Sequence, residues 1–168
     1  MQSSDTFSTP ICDTIHCELG STSGSFEGEN WVDFVHPDGL LPESADVGQT
    51  VTIPAGASAN LRFQLWISEV DGFKTDLLEV KVDGGVEATF QEPLFAELNY
   101  TERTVNLDAF ADGLPHVILF QYTGRMIGGI SRFEVDNIQL EVCLPDLDGD
   151  EIPNDFDADT DGDGIPNE

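Results

Sequence analysis

The sequence predicts an all-β sandwich followed by an extended repeat tail, and three observations carry that prediction. Runs of apolar residues alternate with polar ones at period two, as half-buried strands require. Turn residues such as Asp83-Gly84-Gly85 punctuate the runs, and no long segment has the 3.6-residue period of a helix. The last 23 residues, DLDGDEIPNDFDADTDGDGIPNE, then write one acidic pattern twice, thirteen residues apart.

Taken in order, residues 1–24 form a polar N-terminal segment holding Cys12 and Cys17, residues 25–144 the sandwich, and residues 145–168 the repeats. Leu61, Phe63, Leu65 and Ile67 alternate with Arg62, Gln64, Trp66 and Ser68. Leu78, Val80 and Val82 alternate with Glu79, Lys81 and Asp83, and the chain turns into Val86–Phe90. Thr104–Leu107, His116–Tyr122 and Ser131–Val142 follow at similar spacing, and His36–Gly48 reads as a long loop. In the last strand Phe133 and Val135 share one parity and Ile138, Leu140 and Val142 the other. That change predicts a β-bulge at Asp136-Asn137.

Carboxylates on every second residue repel one another in a compact chain unless a cation sits among them. Oxygen-only ligands select a hard ion, and this many carboxylates favour calcium over magnesium. A calcium loop takes oxygens from positions 1, 3, 5, 7 (a carbonyl) and 12. Counted from Asp146, these are Asp146, Asp148, Asp150, the Ile152 carbonyl and Asp157. Position 6, usually Gly, is Glu151, so this loop is expected to turn differently from an EF-hand loop. The second unit offers Asp159, Asp161, Asp163 and the Ile165 carbonyl, with Gly164 at position 6. Its twelfth position falls beyond Glu168, and the expectation is a chain that is a piece of something longer. The alternative is an acidic tail that only solvates. The spacing, the Gly-Asp pairs and the Ile-Pro-Asn echo resemble thrombospondin type 3 repeats of secreted and surface proteins. That resemblance implies backbone wrapped around a row of calcium ions with almost no apolar core.

Thirty-three acids against six bases give a formal net charge of −27, and the tail holds ten of those acids and no base. Such a charge disfavours nucleic acid and anionic membrane as partners and suits a calcium-rich exterior. No stretch approaches the roughly 20 apolar residues that span a bilayer, so membrane insertion is not expected. MQSSDTFSTP lacks the regions of a signal peptide, which fits a processed or partial chain. Cys12, Cys17 and Cys143 are an odd set. Cys17–Cys143, Cys12–Cys143 and Cys12–Cys17 are all open pairings, with one thiol left over. A zinc site adding His16 has the wrong spacing for a closed site.

Ser25-Phe26-Glu27-Gly28-Glu29-Asn30-Trp31 and Phe133-Glu134-Val135-Asp136-Asn137-Ile138-Gln139-Leu140 resemble the two ends of galactose-binding-like jelly-roll domains. These include carbohydrate-binding modules and anchor-associated domains of secreted bacterial proteins. The resemblance implies that the first and last strands lie side by side with a structural calcium bridging their ends. Glu27 and Asp136 are then candidate ligands, with Glu29 a weaker one. The other reading makes them loop-capping acids.

Sugar-binding faces present aromatics flanked by hydrogen-bonding side chains. Arg62, Gln64 and Trp66 share the outward face of their strand, and Gln121, Tyr100 or Tyr122 are candidates to join them. The competing reading is that a loop covers Trp66. Catalysis is not expected: His16, His36 and His116 are isolated in sequence, and no Ser sits in a nucleophile motif. Asn99-Tyr100-Thr101 matches an N-glycosylation acceptor. The main functional reading is therefore a non-catalytic extracellular calcium-binding adhesion module. The alternatives are the carbohydrate-binding module of a secreted hydrolase, recognising a surface glycan, and a self-associating subunit of an extracellular filament. In the last, a neighbour completes the second calcium site and the N-terminal arm adds a strand to the next subunit.

Overall fold

In the computed structural model, residues 2–5, 10–13, 24–36, 42–125, 129–154 and 156–167 are described; for 2–5 and 36 only the backbone is. Ten strands run β1 (Gln2–Asp5), β2 (Ile11–Asp13), β3 (Asn30–His36), β4 (Glu43–Thr52), β5 (Ser58–Glu69), β6 (Leu77–Val82), β7 (Gly85–Gln91), β8 (Thr101–Asn106), β9 (Pro115–Gly124) and β10 (Ser131–Cys143). A single 3-10 turn, Asp108–Phe110, is the helical element among the described residues. Two five-stranded antiparallel sheets result, ordered β1-β4-β9-β6-β7 and β2-β3-β10-β5-β8.

The period-two reading holds where it is strongest. Leu61, Phe63, Leu65 and Ile67 of β5 point inward, as do Leu78, Val80 and Val82 of β6. Phe63 meets Phe120 edge-on across the sandwich at 4.9 Å between ring centroids, and Phe34 stacks on Tyr122 at 5.9 Å. The β6–β7 turn places Asp83 and Gly84 at φ 50° and 85°. Both central residues are left-handed, which matches the twist of a two-residue hairpin. The predicted bulge is present: Asp136 pairs Gln64 but Gln139 pairs Arg62, and Asn137 adopts φ 48°. β3 lies beside β10, with Val32 opposite Val135, so the strands that hold Trp31 and Phe133 are neighbours inside the sheet.

Three expectations change. The segment read as a loop over His36–Gly48 contains the first half of β4, which pairs along its whole length with β9. Small residues hide this strand in the sequence: Ala45 and Val47 face the core, and Gly48 lies where a Cβ would sit 2.6 Å from the Ile118 carbonyl oxygen. The polar N-terminal segment is not separate from the sandwich, because β1 pairs β4 and β2 pairs β3 of the same chain. The strand given to a neighbour in the filament reading is thus used at home. Finally, Cys12 is disulfide-bonded while Cys143 is free and exposed. Both bridges to Cys143 are thereby removed; Cys17 and His16 lie outside the described residues.

Candidate functional site

Strand connections place the β5–β6 loop (70–76) and the β7–β8 loop (92–100) at one end of the sandwich. Hydrogen bonds lace them together: Glu92 N–H donates to the Asp76 carbonyl at 2.9 Å, Gly72 N–H to Glu92 Oε1 at 3.0 Å, and Gln91 Nε2 to the Lys74 carbonyl at 2.7 Å. The loops carry apolar side chains into solvent. Phe73 is 59% exposed, Phe95 78% and Leu98 98%; Leu94 is exposed in the same loop, and Phe26, whose ring meets Tyr100, is exposed as well. Lys74 and Asn99 stand exposed in the same loops, which suits the acceptor pattern read at Asn99. Isolated exposed apolar residues are ordinary; here several lie on two loops that are laced together at one end of the sandwich, a rim of apolar side chains.

The face expected on β5 is closed. Trp66 donates its indole N–H to the Glu97 carbonyl at 2.9 Å and its ring lies 5.5 Å from Tyr100, which in turn meets Phe26 at 5.6 Å. Tyr100 donates its hydroxyl to the Gly24 carbonyl, and burial pushes its ionisation upward. The β7–β8 loop and residues 24–26 thus cover Trp66; residues 37–41 of the His36–Gly48 segment lie outside the described residues. Arg62 is held between Glu102 at 2.6 Å and Glu141 at 2.5 Å. Gln64 faces outward, half-buried, between Glu102 and Asp136 on the flanking strands. Gln121 cannot join them: it lies on β9 in the other sheet, accepting from Lys81 Nζ at 2.6 Å. Tyr122 is fully buried in the core and is no platform either.

Asp136 and Glu27 meet, but differently from the resemblance. Asp136 Oδ2 accepts the backbone N–H groups of Phe26 and Glu27 at 2.6 and 3.0 Å, and its Oδ1 accepts Asn137 N–H at 2.6 Å. Three amide donors meet this buried carboxylate, which ties the 24–29 loop to the bulge as the capping reading expects. Glu27 contributes its amide while its side chain is exposed. Neither belongs to the carboxylate clusters that converge within 4.8 Å among the described residues, nor does Glu29.

Two of those clusters are Asp146, Asp148, Asp150 and Asp159, Asp161, Asp163. Their loops repeat in geometry as in sequence. Ile152 and Ile165 donate their N–H groups to Asp150 and Asp163, both at 2.8 Å. The position-6 amides of Glu151 and Gly164 reach Asp146 and Asp159 at 3.1 and 2.9 Å. Asn154 and Asn167 accept Leu147 and Thr160 N–H, closing each unit. Glu151 adopts φ 73° and Gly164 φ 85°, so the two loops share a left-handed residue at position 6. A Cβ on Gly162 would lie 2.8 Å from Asp148 Oδ2, so the second unit packs on the first. Asp157 lies outside the first cluster but accepts Asp159 N–H with Oδ1. Its Oδ2 and Asp159 Oδ1 are buried without a hydrogen-bond partner. Burial and the charges of Asp150, Asp157 and Asp146 hold the Asp148 carboxyl above its usual range, despite the Asp150 amide. A third cluster, Asp71, Asp76 and Glu92, lies under the rim and has no signal in sequence spacing.

His116 is not isolated in space. Its ring nitrogens face Asp83 Oδ2 at 2.7 Å and Asp112 Oδ1 at 3.0 Å, and these hydrogen bonds raise its ionisation above the ordinary histidine value. The clamp joins the β6–β7 turn to the β8–β9 loop at the end opposite the rim. Near that end an apolar cavity of about 230 Å³ lies between the sheets, lined by Val47, Val51, Leu61, Ile118 and Ile138. Its lining lacks the convergent polar groups that orient a sugar.

Solved structures share this sandwich. A family 61 carbohydrate-binding module in complex with β-1,4-galactotriose is similar over 83% of this chain and 86% of its own, at TM-score 0.56 and 18% identity. A structure from work on promiscuous carbohydrate-binding modules of the β-sandwich superfamily is similar at TM-score 0.53 and 15% identity. There the match covers 83% of this chain but 56% of that one. At such identities the likeness is one of fold. No protein-family model and no curated protein sequence matches the chain. Among the described residues no helix is long and apolar enough to cross a membrane.

Proposed function

We propose that this chain is a non-catalytic carbohydrate-binding module of a secreted protein, carried on a calcium-rigidified tail. The exposed rim of Phe73, Phe95 and Leu98, on a sandwich with the fold of sugar-binding modules, carries the reading. Sugar rings stack on such aromatic faces, and Lys74 and Asn99 supply hydrogen-bonding groups beside them. The ligand class is a neutral polysaccharide, because a chain of charge −27 repels polyanions. β-1,4-Galactan is the first candidate, by analogy with the galactotriose-bound module. A glycan array with the full chain tests this. Phe95→Ala is expected to weaken the strongest signal about tenfold, equivalent to about 1.4 kcal/mol. Trp66→Ala instead destabilises the fold, since that indole is covered. The absence of any array signal that Phe95→Ala diminishes would overturn the glycan reading.

The adhesion reading keeps one specific support, the tail. Its units have the phased ligands of thrombospondin type 3 repeats, and the unpartnered buried oxygens of Asp157 and Asp159 suit a cation. Asp146, Asp148, Asp150, Asp157 and the Ile152 carbonyl hold one calcium ion in this proposal; Asp159, Asp161, Asp163 and the Ile165 carbonyl hold another. Calcium there stiffens the spacer while the sandwich supplies recognition. Self-association through the tail is tested by light scattering with calcium and with chelator.

A further inference from the structure

We infer that Asp71, Asp76 and Glu92 form a third cation site, built for a calcium-like ion and placed to fasten the two rim loops from beneath. One carboxylate oxygen from each converges within 4.8 Å. Two loops supply them: Asp71 lies just after β5, and Asp76 and Glu92 flank the paired ends of β6 and β7, beyond the Leu77–Gln91 pair. Unlike the tail aspartates, Asp76 and Glu92 are 0% and 1% exposed.

The deciding observation is the oxygens left over. Asp71 Oδ1 accepts Phe73 N–H at 2.7 Å and Glu92 Oε1 accepts Gly72 N–H at 3.0 Å. Asp71 Oδ2 and Glu92 Oε2 are buried with no hydrogen-bond partner. A buried carboxylate oxygen without a donor is costly, more so when charged, so such groups point to an ion or a proton. Asp76 is held in place by donors: the Tyr122 hydroxyl and the Arg125 backbone N–H donate to it at 2.8 Å, and the Ser131 hydroxyl donates as well. Oxygen-only donors of this kind select a hard divalent ion.

Burial, offset in part by the Gly72 amide and reinforced by Asp71, holds the Glu92 carboxyl above its usual range. That direction fits two acids pressed together without a cation, and it identifies the rival, a proton shared between Asp71 and Glu92. The site does not depend on what the rim binds. Its consequence is mechanical: one ion joins the loops bearing Phe73 and Phe95 to the ends of β5, β6 and β7.

Terbium luminescence on the full chain tests it. The tail contains no Tyr or Trp, whereas the Tyr122 hydroxyl lies 2.8 Å from Asp76. Terbium excited through tyrosine therefore reports the body rather than the tail. In a chain carrying Asp148→Asn and Asp161→Asn, sensitised emission should persist and be displaced by calcium. Adding Glu92→Gln or Asp71→Asn should weaken terbium binding at least about tenfold. Near-UV circular dichroism checks folding, and Asp71→Asn, at the half-exposed position, carries the test where Glu92→Gln fails to fold. Melting supplies a second readout. Calcium raises the melting temperature of the tail-substituted chain, and Asp71→Asn removes that rise. The inference is overturned by no calcium-displaceable emission in the tail-substituted chain, or by unchanged emission in both rim variants. A higher melting temperature for Glu92→Gln in calcium and chelator alike would also overturn it, assigning a shared proton.

Discussion

The sandwich and the tail solve the same problem by opposite means. In the sandwich, side chains such as Phe34, Phe63, Leu65, Tyr122 and Phe133 disappear almost completely from solvent, and hydrogen bonds join residues a hundred positions apart, as from Phe26 to Asp136. In the tail, Leu147, Phe156 and Ile165 remain exposed, and the described hydrogen bonds span ten positions at most. Apolar burial thus holds the body, at roughly 25 cal/mol per Å² removed from water. The tail has only local turns and clustered charge, which a cation would convert from repulsion into cohesion.

That contrast can be broken first in the core. Phe63→Ala should cost about 3–5 kcal/mol, read by denaturant melts, since its ring meets Phe120 and Phe90 edge-on. The tail should be indifferent to this change. Calcium removal is the converse experiment. An ion at a hundred times its dissociation constant adds about 2.7 kcal/mol to whatever binds it. Chelation should therefore raise hydrogen exchange across 146–167 while the β5 and β10 amides stay protected. Equal loss in both regions would erase the distinction.

Gly48→Ala comes next, at about 1–3 kcal/mol, because the new methyl meets the Ile118 carbonyl and Leu119. Unfolding midpoints measure it. Glu151→Gly sharpens the comparison within the tail. Relief of a left-handed residue is worth about 1–2 kcal/mol, so the first unit should gain calcium affinity relative to the second in a titration. The smallest effect is expected at His116. Its folded ionisation is raised by Asp83 and Asp112. The stability it confers is full below its unfolded value near 6.5 and is lost as pH rises through the higher folded value. Melting of His116→Gln should lack that component of the pH profile.

Much of the body was legible because each strand stated its own parity. Leu61–Ile67, Leu78–Val82, the Asp83-Gly84 turn and the bulge after Val135 were readable one at a time. β4 was not, since Ala45 and Gly48 are too small to mark a buried face, and the edge strands β1 and β2, four and three residues long, are too short to state a period. Parity also says nothing about which sheet a strand joins, which is why Gln121 was grouped with Trp66 across the sandwich. Asp136 shows a different limit. A carboxylate that accepts three backbone amides and one that binds an ion look alike in sequence. The Asp71, Asp76 and Glu92 cluster was invisible because loop closure alone brings it together. In the tail the reverse held: the thirteen-residue period announced the matching turns, with Glu151 taking the left-handed position that Gly164 takes in the second unit.

The measurement that bears most directly on the central claim is a titration followed by amide chemical shifts, using the strongest oligosaccharide from the glycan array. Saturable shifts should cluster at Phe73, Lys74, Phe95, Leu98 and Asn99, leaving the tail and the Val47–Ile138 cavity unchanged. Shifts confined to that cavity or to the tail, or none that saturate, would contradict a glycan-binding rim.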